Sequence, residues 1–120
     1  MLLAGQHEAA QAQLDEALQI AHELDERVVL PQLWLLGAAI ARAQGRAGAG
    51  AASVRRAIDE ARTQQAPWLE LLALVDLCEH HDAAAAQRSA LADLVDRLPE
   101  AGDTLPVRRA QAILRAVKPA

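Results

Sequence analysis

The sequence predicts an all-α protein in which antiparallel helix pairs stack one on the next as a short solenoid. Three observations predict it. Apolar residues recur at steps of three and four, and no segment alternates with period two. Alanine and leucine dominate, there is no Phe or Tyr, and Trp34 and Trp68 are the only aromatics. That composition suits helices packed closely through small residues and disfavours strands. The helices also repeat: Asp15-Glu16-Ala17-Leu18…Ala21 is matched forty residues on by Arg55-Arg56-Ala57-Ile58…Ala61, and Trp34 by Trp68 thirty-four on. Such periods mark stacked helix pairs, with a plain helical bundle as the competing arrangement.

The first helix follows Gly5-Gln6-His7-Glu8 and carries Ala10, Leu14, Ala17, Leu18, Ala21 and Leu24 as its stripe, ending at the polar break Asp25-Glu26-Arg27. Pro31 suits the first turn of the second, with Leu33, Leu36, Gly37 and Ile40 on one face. Gly45, Gly48 and Gly50 predict a permissive, mobile connection, whose length accounts for the two different repeat offsets. The third helix, from Ala51, has Val54, Ala57, Ile58 and Ala61 inward; Arg55–Asp59 and Arg56–Glu60 are spaced to pair across one turn on its other side. It ends near Gln65, and the fourth begins at about Pro67. That helix is apolar over most of its circumference, which predicts neighbours on several sides and Trp68 in the core. Asp82 is the expected N-cap of a fifth helix from Ala83, with Leu91, Leu94, Val95 and Leu98 inward. Asp103-Thr104-Leu105-Pro106 starts a sixth, with Val107, Ala110, Leu114 and Val117 inward, before the tail Lys118-Pro119-Ala120.

At 120 residues the chain is one domain's worth, or a piece of a larger one. The net charge of −4 is spread through mixed acids and bases, which argues against a nucleic-acid partner. One cysteine excludes an internal disulfide framework and fits a reducing compartment. Met1-Leu2-Leu3-Ala4 is too short for a secretory signal, and no run reaches the roughly 18 apolar residues of a membrane span. A cytoplasmic location follows as the expectation.

Leu33…Leu36-Gly37…Ile40 and Ala57…Ala61 resemble the two helices of a tetratricopeptide (TPR) repeat, without the family's Tyr and Phe. Gly45 to Leu114 is similar to the C-terminal TPR region of bacterial ATP-binding winged-helix regulators and nucleotide cyclases. Ala61-Arg62-Thr63-Gln64-Gln65-Ala66, Leu69-Glu70-Leu71-Leu72-Ala73, Glu100-Ala101-Gly102-Asp103-Thr104 and Ala110-Gln111-Ala112-Ile113-Leu114 carry that resemblance, with Leu72 where those regions usually have Arg. It implies a right-handed TPR-like solenoid: a partial first repeat over 1–26, repeats over 27–65 and 66–100, and a capping helix over 101–120. It implies a protein-interaction scaffold whose groove holds Trp34, Ala38 and Arg42, then Leu69, Ala73 and Asp76. The partner is a protein, a peptide or neighbouring domains of a longer chain. The chain also starts part-way through a repeat, so Leu14, Leu18 and Leu24 lack a natural partner. That predicts a fragment, or a homodimer through the N-terminal helix.

No catalytic, cofactor-binding or metal-binding residues are predicted. Gly45 to Ala52 mimics a phosphate loop, but Ala51-Ala52 stands where Lys-Ser/Thr is needed. Cys78, His81 and Asp82 form the one metal-like cluster and keep a metal- or ligand-binding domain as an alternative, although zinc needs three or four convergent ligands. Ser53 and Ser89 have no histidine at helical spacing, so a nucleophilic site is not expected. Arg108, Arg109, Arg115 and Lys118 make the last helix basic, which complements its C-terminal dipole.

Overall fold

A computed structural model describes residues 4–98 and 102–116. The boundary expected between 100 and 101, Val117 and the Lys118-Pro119-Ala120 tail lie outside the described residues. Six α-helices account for most of what is described: α1 (Ala4–Glu23), α2 (Leu30–Ala43), α3 (Ala47–Thr63), α4 (Pro67–His80), α5 (Ala85–Arg97) and α6 (Leu105–Ala116). There is no strand among these residues. Each helix packs on the next, and α2 also touches α4, as α4 touches α6.

Helices α1, α2 and α3 stop by one mechanism. Asp25, Gly45 and Gln65 take positive φ angles of 54°, 75° and 54°. In each case the following N–H donates back five residues: Glu26 to the Ala21 carbonyl at 2.8 Å, Arg46 to Ala41 at 2.8 Å, and Ala66 to Ala61 at 2.9 Å. A second bond runs from each left-handed residue to the carbonyl three before it, completing a Schellman stop. The stops are twenty residues apart, and Ala21, Ala41 and Ala61 are all buried.

The glycine-rich connection differs from expectation. Gly48 and Gly50 lie inside α3, which starts at Ala47, so the turn is three residues long and not a mobile loop. Gly45 alone supplies the left-handed turn. Gly50 serves a close approach: a Cβ there would stand 3.2 Å from the Arg42 Cγ and 3.3 Å from the Ala38 carbonyl. The different repeat offsets therefore do not come from a long connection. One contribution is the 3-10 turn Arg27–Val29, which delays α2 and leaves it with 14 residues against 17 in α3.

The core runs along the contacts of α4 with α2, α3, α5 and α6, through Val54, Ile58, Leu71, Leu74, Leu77 and Leu91. The expected α3 stripe of Val54, Ala57, Ile58 and Ala61 is buried throughout. Helix α2 departs from its expected face. Leu36 is exposed, while Leu30, Pro31, Ala38, Ile40 and Ala41 are buried. A helix apolar on nearly every side has a poorly defined stripe, and packing against α1, α3 and α4 chose the face. Trp68 is a second correction. It lies in the first turn of α4 with 36 % of its surface exposed, at the rim of the core and not inside it. Helix α5 starts at Ala85, so Asp82 is not its cap. The Gln87 side chain instead accepts a bond from the Ala84 N–H at 2.6 Å.

Candidate interaction site

Helix α2 sets the geometry, because it carries Trp34, Ala38 and Arg42 one turn apart. Ala38 is fully buried against the α3–α4 core, and so is Ala73. Neither methyl is open to a partner; both act as spacers that let helices approach. Leu69 is half-buried in the first turn of α4.

Arg42 and Asp76 are brought together. The Arg42 guanidinium donates to the Asp76 carboxylate at 2.9 Å, and each side chain is 20 % exposed. The same nitrogen, Nη1, lies 3.0 Å from Nε2 of His81, the residue that ends α4. A guanidinium has no acceptor, so Nε2 accepts and the ring is neutral with its proton on Nδ1. Burial pushes the His81 pKa down, and the Arg42 charge adds to that; Asp76 opposes it. Two residues expected to line a groove thus satisfy each other across the α2–α4 crossing.

Trp34 belongs to a different surface. The Arg56 guanidinium sits over its ring, 4.3 Å from the centroid. Ser53 donates to the Trp34 carbonyl at 2.5 Å. Beside this pair a groove of about 190 Å³ runs between α1 and α3, with α2 as its floor. Leu14, Leu18, Gly37 and Ala41 make it apolar, and Gln11, Asp15 and Arg46 make its rim polar. Gly37 is small between Leu14 of α1 and Ser53 of α3: a Cβ there would meet Leu14 at 3.0 Å and Ser53 at 3.2 Å. Among the described residues the expected Arg56–Glu60 pair does not form. Arg56 covers Trp34, and Glu60 reaches Arg27 at 3.0 Å, tying the 3-10 turn to α3.

The Cys78–Asp82 cluster does not assemble a metal site. Among the described residues no three His, Cys, Asp or Glu side chains converge as ligands. His81 is turned to Arg42. Burial raises the Cys78 thiol pKa more than nearby Arg88 lowers it, so the sulfur stays a poor ligand and nucleophile at neutral pH. The phosphate-loop mimic is likewise spent on structure, in the helical first turns of α3.

Sequence reasoning missed the Arg56–Trp34 stack, the Ser53 bond and the role of Gly37. The available signals were the glycine inside an apolar helix and the opposite charges of Arg42 and Asp76, spaced like the two tryptophans. Compared with family models, curated proteins and solved structures, the chain finds no match. No helix among the described residues is long and apolar enough to cross a membrane.

Proposed function

We propose that the chain is a cytoplasmic protein-interaction scaffold, a short right-handed TPR-like solenoid of antiparallel helix pairs without catalysis of its own. The observation that carries this reading is the twenty-residue recurrence of one helix stop at Asp25, Gly45 and Gln65. Two such units make a forty-residue helix pair, and pairs that bury their faces only against neighbours form extended arrays. Sequential packing, with α2 reaching α4 and α4 reaching α6, supports the same arrangement. The binding surface is the groove beside Trp34, with its apolar floor and polar rim. An amphipathic helix or short peptide is the class of ligand that such a surface takes.

The reading extends to context. The resemblance of residues 45–114 makes the chain the terminal repeat region of a multidomain bacterial ATP-binding signalling or transcriptional regulator. A peptide-display selection against the whole chain tests the scaffold. Selected peptides should lose about tenfold or more in affinity to Arg56→Glu or Asp15→Arg, which change the rim and leave the core intact. Peptides indifferent to both substitutions would remove the Trp34 groove as the binding surface.

A further inference from the structure

The charges are segregated along the chain. The first 26 residues hold six of the sixteen acids and none of the twelve Lys and Arg. Among the described residues none of these six acids is in an ion pair, whereas Glu60, Glu70, Asp76, Glu79 and Asp103 all are. On α1 they flank apolar surface. Glu16, Ile20 and Glu23 follow one another at steps of four and three, so they share one helix face, with Leu24 beside them. Ile20 is 45 % exposed and Leu24 is 62 % exposed.

Helix α6 presents the counterpart. Its range contains Arg108, Arg109 and Arg115 and no acid. Leu105, Arg108, Ala112 and Arg115 recur at steps of three, four and three, and all four are exposed. Arg109 is turned to Glu79, and Arg108 is held by Asp103 through two bonds at 2.8 and 2.9 Å. Arg115 has no acid partner among the described residues. Glu16 and Glu23 are seven residues apart, and so are Arg108 and Arg115. Both separations span about 10.5 Å of helix, with a small or apolar residue between the charges.

We infer that the exposed face of α1 docks on the exposed face of α6 of a second copy of this chain. The contact is head-to-tail, setting Glu16 and Glu23 against Arg115 and Arg108. A symmetric contact between two α1 faces would cover Ile20 and Leu24 of both copies but sets carboxylate against carboxylate, which repels. A head-to-tail contact uses different patches on the two copies, so it adds copies without closing at a dimer unless the rotation makes a ring. This inference is independent of the scaffold reading, because neither face belongs to the Trp34 groove.

The test is sedimentation equilibrium of the whole chain over a wide concentration range at low and high salt. Four forms are compared: wild type, Glu16→Lys/Glu23→Lys, Arg108→Glu/Arg115→Glu, and a chain carrying all four substitutions. The wild-type mass should climb past that of a dimer, and added salt should weaken association by about tenfold or more. Each double variant should be monomeric, because its two faces then share one sign. The fourfold variant, with both signs reversed, should associate again, which also shows that the substituted chains fold. A wild-type chain monomeric throughout overturns the inference. So does a dimer that ignores Arg108→Glu/Arg115→Glu, because that outcome assigns the contact to α1 alone.

Discussion

Arg42 and Asp76, thirty-four residues apart, meet at 2.9 Å where α2 crosses α4, in the interval that also separates Trp34 from Trp68. The pair is four-fifths covered, so losing one partner strands a charge that water reaches poorly. Asp76→Ala and Arg42→Ala should each lower stability by about 1–2 kcal/mol. The double variant should cost less than the sum, with a coupling of at least about 0.5 kcal/mol in urea melts. Strict additivity would mean that the two side chains act separately.

His81 makes this crossing sensitive to pH. Its folded-state pKa lies below the ordinary value of 6.5, chiefly through burial and then through Arg42. The unfolded chain therefore binds this proton more readily than the folded one. The stabilisation is complete above about pH 6.5 and is lost as the pH falls through the depressed folded value. The urea midpoint should fall between pH 7.5 and pH 5, and His81→Gln should reduce that fall, since the amide oxygen can still accept from Arg42. An identical pH dependence in wild type and variant would exclude His81 as the titrating group.

The recurring helix stops predict substitutions that stabilise. Asp25 and Gln65 hold left-handed geometry with a β-carbon, a conformation that glycine enters without steric cost. Gln65→Gly should gain up to about 1 kcal/mol, offset in part by the greater freedom of the unfolded chain. Asp25→Gly should behave alike, and Gly45→Ala should lose about 1 kcal/mol. Thermal melts of the three variants give the signs directly. Destabilisation by Gln65→Gly would mean that the Gln65 side chain matters more than its backbone angle.

These stops also show where sequence reading ends. Breaks at Pro31 and Pro67 are visible because proline announces a first turn. The places of all three stops are visible, as a polar break at Asp25, a glycine at Gly45 and the residues before Pro67 at Gln65, but the left-handed geometry shared by Asp25 and Gln65 is not, since both carry a β-carbon. The equal twenty-residue spacing appears only with the backbone bonds in view. The α3 stripe could be read because polar residues flank it. The buried face of α2 could not, because Leu33, Trp34, Leu35 and Leu36 leave no polar side to contrast with it. The Arg42–Asp76 pair was foreseen as two groove residues and is instead one closed contact. Carrying positions over one at a time leaves out whether those positions face each other.

Trp68 separates the two ways of estimating a core. From the sequence alone it sits on the α4 stripe, and truncation should cost ~3–5 kcal/mol, as for a large core side chain. In the fold it is 36 % exposed at the helix start, while Leu71, one turn further, is fully buried. The area that Trp68→Ala returns to water is smaller, and the space it leaves opens to solvent without enclosing a cavity. Its cost should fall to about 1–2 kcal/mol, below the roughly 3 kcal/mol of Leu71→Ala at the centre of the core. Chemical melts of the two variants decide the order. If Trp68→Ala is the more damaging, the first turn of α4 is packed more tightly than its exposure implies, and the rim of the core must be redrawn to include it.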